Sequence, residues 1–160
     1  MNSHQVGVAA EAIAAGVLAQ AGYDVLVQYG ANQPGYDLVA IKNQRLLKIS
    51  VKGTQKDGWG LTQSYKEGHT YHEAVDVWFD RQPQDVILSL VDFTNAPLGT
   101  MPTIYLARPS EIAQHLKAVA QGLGDTTLRV KKTWKGGIHE GHTDQIPDAW
   151  KFTQQRIDAI

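Results

Sequence analysis

The sequence predicts an α/β protein in which a mixed central sheet is flanked by helices. Three observations carry that prediction. Residues 4–21 are small and apolar, between a helix-start and a helix-stop signal. Residues 34–52 hold two aliphatic runs around a short polar turn, the signal for a β-hairpin. Residues 85–93 (DVILSLVDF) are almost continuously apolar and follow a helical stretch. That is the pattern of a strand buried on both faces and reached by a crossover.

Composition sets the outer bounds. A chain of 160 residues with 42% hydrophobic and 19% charged side chains fits one domain with an adequate core. The absence of cysteine excludes disulfides, thiolate zinc sites and cysteine nucleophiles. A formal net charge of −1 is not the global signature of a nucleic-acid binder, so any such contact must come from a local patch. No stretch approaches a membrane span. Residues 6–21 imitate a signal peptide, yet no Lys or Arg precedes Lys42 and Glu11 interrupts the apolar run. A folded helix and a cytoplasmic protein are expected.

The first helix runs from about His4 to Ala21, with Ser3 as N-cap and Gly22 just past its end. Glu11 is the only formally charged side chain between Met1 and Tyr23, and its helical neighbours Gly7, Val8, Ala14, Ala15 and Leu18 are small or apolar. It is either a solvent-facing residue at the helix edge or a carboxylate held against the sheet for a purpose. Residues 23–29 read as the first strand and 30–35 as a loop with Asn32 as a turn residue. The hairpin turns at Lys42-Asn43-Gln44-Arg45. In its second strand Leu47, Ile49 and Val51 alternate with Leu46, Lys48, Ser50 and Lys52. If the strands pair, Asp37 at the start of one lies beside Ser50 and Lys52 at the end of the other.

Residues 53–60, with three glycines and Lys56, read as a mobile loop of the kind that carries binding contacts. Trp59 and Tyr65 either stack on bases or pin that loop, and Trp59 is read as structural. His69 and His72 lack the spacing and internal Glu of a zincin motif and read as polar helix-start residues. A helix from near Tyr71, buried through Val75 and Trp78, stops before Pro83. Residues 103–107 form another strand. Pro109 opens a helix to about Gln121, with Ile112, Leu116 and Val119 buried. Arg129, Lys131, Lys132 and Lys135 then form a basic stretch around Trp134. It serves phosphate contact or is a solvated edge strand guarded by lysines. His139, His142 and Asp144 read as a solvent-facing loop rather than a metal site. Pro147-Asp148 starts a closing helix with Trp150, Phe152 and Ile157.

Glu11 in a first helix, Asp37 entering a strand, and Ser50-Val51-Lys52 ending the next, in that order, resemble the PD-(D/E)XK nuclease superfamily, above all its Holliday-junction-resolvase-like members. The resemblance covers about the first two thirds of the chain and rests on the ordered combination. It implies a restriction-endonuclease-like mixed sheet with an α-β-β-β-α-β core over residues 1–122, with 123–160 as an extension packed on the same domain. It implies Mg²⁺- or Mn²⁺-dependent hydrolysis of DNA phosphodiester bonds, with no small-molecule cofactor and no membrane. Asp37 would anchor the metal, the Val51 carbonyl would be a further ligand, and Glu11 would help hold the ion or its waters. Lys52 would orient or activate the attacking water and offset charge in the transition state. The sequence departs at Ser50, where the family usually has Glu, Asp or Gln, and a hydroxyl is a poorer Mg²⁺ ligand. Ser50 could coordinate weakly, and Glu11, or less readily Gln55, could replace the missing group. Lys56, Arg129, Lys131, Lys132 and Lys135 are the candidate DNA contacts. A double-strand cut needs two active sites, hence a homodimer. The alternative is an inactive nuclease-fold module that binds nucleic acid or protein. A third reading leaves Asp37 and Lys52 as a surface ion pair of little energetic value.

Overall fold

A computed structural model describes residues 1–28 and 35–160. The expected strand end at Tyr29 and the loop residue Asn32 lie outside these. Helix α1 spans Ser3–Gln20. Its cap is Asn2 rather than Ser3. The Asn2 side chain accepts from the Gln5 backbone N–H, and the Gln5 side chain accepts from the Asn2 N–H, both at 2.9 Å. The reciprocal box outcompetes a lone serine because it satisfies two orphan donors together. Gly22 follows the helix with φ +87°, the left-handed geometry that a helix stop needs.

The central sheet has five strands in the order β1-β2-β3-β5-β6: β1 Asp24–Val27, β2 Leu38–Lys42, β3 Arg45–Thr54, β5 Val86–Asp92 and β6 Thr103–Ala107. β1, β2 and β3 form an antiparallel meander, β3 and β5 are parallel, and β5 and β6 are antiparallel. The β2–β3 turn places Asn43 and Gln44 at φ +50° and +66°, two consecutive left-handed residues as a two-residue hairpin turn requires. The parallel step is the crossover through helix α2, Tyr71–Asp80. Every residue of β5 is buried, as its continuous apolar run foretold.

Helices cover both faces. Ala10, Ala14, Val17 and Leu18 of α1, with Ile157 of α4 (Gln154–Ala159), pack on Leu38, Leu47, Ile49, Val51 and Ile87. On the other face, Val75 and Trp78 of α2, with Ile112 and Leu116 of α3 (Pro109–Ala118), pack on Val86, Leu88 and Leu90. This mixed sheet between helices is a restriction-endonuclease-like fold. Among the described residues no helix is long and apolar enough to cross a membrane.

Several expectations are corrected. Residues 53–60 are not a single loop, and only 55–57 bend between strands. β3 runs on to Thr54, and β4 (Gly58–Trp59) pairs with β7 (Leu128–Arg129). The buried Trp59 ring secures the segment, donating Nε1–H to the Lys52 carbonyl at 2.9 Å and standing edge-on to Tyr105. α3 ends at Ala118, because Val119 is extended (ψ 156°) and Ala120 and Gln121 are left-handed. The basic stretch is two short strands rather than one, and β8 (Lys131–Thr133) pairs with β9 (Thr143–Gln145). Asp144 therefore lies in a strand and faces inward. The closing helix starts late, since Phe152 donates its N–H to the Ile104 carbonyl at 2.8 Å and lengthens the sheet edge instead.

Candidate active site

The hairpin fixes Asp37 before any cofactor or substrate is considered. Its N–H donates to the Ile49 carbonyl (2.8 Å), and its carbonyl accepts from Gln28 (3.0 Å), so its backbone is clamped between β1 and β3. Leu38 lies opposite Ile49, so one step earlier in the register Asp37 falls opposite Ser50. Its Oδ2 accepts the Val51 N–H at 2.6 Å. Strand alternation sends Val51 into the α1-side core and turns Ser50 and Lys52 to the face that carries Asp37. The same pleat explains why only the main chain of Val51 can serve a site on that face.

Asp37, Ser50 and Lys52 line one cleft of about 560 Å³, closed on its far side by Leu61, Tyr65, Trp78 and Arg81. Ser50 is buried in its wall and Lys52 is exposed. Glu11 approaches from α1. Burial first, and then the charge of Asp37, hold its carboxyl above the ordinary range, while Lys52 and His4 partly oppose them. The carboxylate sensed as unusual in the sequence is thus within electrostatic reach of both Asp37 and Lys52. Gly53 permits that approach. A Cβ there would meet Val6 Cγ1 at 2.8 Å and Ala10 Cβ at 2.9 Å, so α1 lies directly on β3.

The other candidates divide. Lys56, Lys131 and Lys135 are exposed. Lys132 is held by Asp125 at 3.1 Å and lies over the Trp134 ring, while Arg129 approaches Asp125 at 3.9 Å. Gln55 lines an adjoining cleft, where its side-chain amide donates to the Met1 carbonyl. Asp144 accepts from Ala120 N–H, Trp134 Nε1 and His142 Nε2. Burial alone would raise its pKa, but these three bonds outweigh it and lower it. His142 is thereby committed to Asp144, His139 faces Gln121, and His72 bonds the Gly122 carbonyl. Among the described residues no group of three or more His, Asp or Glu side chains is placed to hold a metal. The cleft wall itself offers the Asp37 carboxylate and the Ser50 hydroxyl. The main chain of Val51 lies at its edge in the adjoining cleft, and the Glu11 carboxylate is near enough to feel the charges of Asp37 and Lys52. Their oxygens are the ligand type that Mg²⁺ and Mn²⁺ take, with water completing the shell.

Sequence reasoning missed Arg81. It is the residue capping the C-terminus of α2, stacked over Tyr65 at 5.0 Å, and it enters the cleft only because the crossover lays α2 beside β3. No spacing rule links a helix-end arginine to an aspartate 44 positions earlier, as numbered in the chain.

Among curated proteins no match to the chain is found. A family model described as PD-(D/E)XK endonuclease matches residues 1–97, which contain Glu11, Asp37, Ser50 and Lys52. Match and fold agree on more than half of the sequence, and the chain belongs to the PD-(D/E)XK endonuclease family.

Proposed function

We propose that this protein is a Mg²⁺- or Mn²⁺-dependent endonuclease that hydrolyses phosphodiester bonds of DNA, with Asp37, Lys52 and Glu11 as its working groups. The observation that carries this reading is the hairpin end, where Asp37, Ser50 and Lys52 share one face of one open cleft in a chain of this family. Asp37 is oriented by the Val51 N–H at Oδ2, which leaves Oδ1 to reach into the cleft. Asp37, Glu11 and the Val51 carbonyl would hold the ion, and Ser50 would steady one of its waters. When bound, the ion lowers the pKa of water and neutralises phosphoryl oxygens. Lys52 orients the attacking water and, as a cation beside the scissile phosphate, offsets the charge that develops on it. Its main chain is held in place by Trp59, so its stem leaves a fixed point.

A double-strand cut needs two such sites, and a homodimer would supply them. The solvent-facing apolar side chains Leu26 and Leu46 lie on the sheet surface that such a pairing would cover. DNA as substrate fits a cytoplasmic location.

The test is cleavage of plasmid, single-stranded and four-way-junction DNA in Mg²⁺ or Mn²⁺. Asp37→Ala and Lys52→Ala are each expected to lower the rate by about two to three orders of magnitude, the cost of removing a preorganised electrostatic group. Cleavage that persists in both variants would refute the assignment. A second reading, an inactive nuclease-fold module that binds nucleic acid, is favoured by Ser50 where the family has a carboxylate or amide. It predicts retained DNA binding with no cleavage in either metal.

A further inference from the structure

We propose that Arg81 and Lys56, one on each side of Lys52, grip the backbone of a single DNA strand along a groove made of two adjoining clefts. The inference rests on the nuclease reading and names residues that bind its substrate away from the reacting phosphate.

Two features of the structure lead there. The cleft of Asp37 is not isolated. A second opening of about 510 Å³ lies between the start of α1 and the β3–β4 segment. The two share Lys52, Gly60 and Leu61 in their walls. Lys52 is therefore the midpoint of one continuous surface, with Lys56 in one arm and Arg81 in the other. The second opening has no Asp or Glu among its described lining residues, and the first has only Asp37. The protein carries a net charge of −1, so a groove with this balance is a local positive feature.

Most cations outside the groove are already held by partners. Lys48 pairs with Asp85, Lys117 with Asp76, Lys132 with Asp125, Lys151 with Asp148 and Arg156 with Glu111. Lys42, Lys66 and Arg45 donate to backbone carbonyls. Arg129 approaches Asp125 at 3.9 Å. Among the described residues Lys52, Lys56 and Arg81 have no carboxylate or carbonyl partner. Arg108, Lys131 and Lys135 have none either, but they lie outside the two clefts, and Lys52, Lys56 and Arg81 are the cations of the groove. Arg81 is also prepared for its role. Its guanidinium lies over the Tyr65 ring, 5.0 Å from the centroid, a cation–π contact that limits the freedom of the planar fork. Lys48, by contrast, is drawn off the wall by Asp85 at 2.7 Å.

The experiment is fluorescence anisotropy with a short labelled DNA duplex and the full chain, in EDTA so that no hydrolysis occurs, across a series of NaCl concentrations. Each phosphate contact contributes about 0.9 to the slope of log affinity against log salt. Arg81→Ala and Lys56→Ala should each lower that slope by about 0.9, and the double variant by about twice as much. Lys151→Ala removes a cation that Asp148 already holds and should leave the slope unchanged. Arg81→Lys should keep the slope but bind more weakly, because an ammonium cannot present a stacked fork. Thermal melts monitor folding, and Arg81→Gln serves if alanine loosens the end of α2. Binding by the unmodified protein with a slope indifferent to Arg81 and Lys56 would overturn this inference and leave the nuclease reading intact. Absence of any DNA binding by the unmodified protein would overturn both.

Discussion

Glu11 shows at the scale of one residue how a site works against the fold that carries it. Burial and the charge of Asp37 raise its pKa, so ionising it is harder in the folded chain than in the unfolded one. The sign follows directly. Below the ordinary carboxylate range the residue is protonated in both states and has no effect. As pH rises through that range toward the higher folded value, the unfolded chain releases its proton first and stability falls. Glu11→Gln should therefore raise the melting temperature near neutral pH, and the gain should vanish below about pH 4. Melting curves across that range check it, and an equal gain at every pH would contradict the electrostatic account. Added Mg²⁺ should narrow the difference by stabilising the unmodified protein, as any ligand of the native state does. His115 has the opposite sign. Burial beside Trp150 lowers its pKa, against a smaller opposing effect of Asp144. Its contribution is complete above about pH 6.5 and is lost as pH falls from there toward the folded value. His115→Phe should flatten that part of the stability profile.

Among the elements, the contact of α1 with β3 matters most, since it brings Glu11 to the hairpin end. The contact depends on Gly53, where an added Cβ would lie 3.0 Å from the Val6 carbonyl as well as against the Val6 and Ala10 side chains. Backbone cannot yield as a flexible side chain can. Gly53→Ala should cost about 1–3 kcal/mol, the range for overpacking a tight core, measured by urea denaturation. Because relief comes from displacing α1, cleavage should fall further than stability alone explains. A variant with full stability and full activity would show that the approach is less tight than the distances state. The hairpin itself is legible from sequence because its turn and alternation are local. Its precise consequence, the bond from the Val51 N–H to Asp37 Oδ2, depends on register and so emerges only from pairing.

Across the whole molecule, the last forty residues complete the two cores. Leu128, Ile146 and Trp150 are buried on the α2 side and Ile157 on the α1 side. Arg45, in the hairpin, donates to the carbonyls of Ile157 and Ile160, and Arg156 bonds the Leu106 carbonyl and Glu111. Removing residues 123–160 would expose apolar surface on both faces. At about 2–5 kcal/mol for each large buried side chain lost, the total exceeds the stability of an ordinary domain. The truncated chain should melt without cooperativity, as read by circular dichroism. A sharp transition would show that residues 1–122 fold unaided.

By itself the sequence determined the elements whose signals are local: α1, the β2–β3 hairpin, the fully apolar β5, and the starts of α2 and α3. It also determined the ordered set Glu11, Asp37 and Lys52, because strand alternation and family order are both read along the chain. Tertiary structure decided what depends on partners far away in sequence. It carried β3 on to Thr54 and made a second short strand of Gly58–Trp59 within the stretch read as a loop, because β4 had β7 as a partner. It drew Asp144 inward, because Ala120 and Trp134 supplied donors that no local pattern reveals. It committed Arg129 and Lys132 to Asp125, and it brought Arg81 to the cleft of Asp37. Charge neutralisation and cleft formation are properties of side chains meeting in space, and they are set by crossover and register rather than by spacing in the chain.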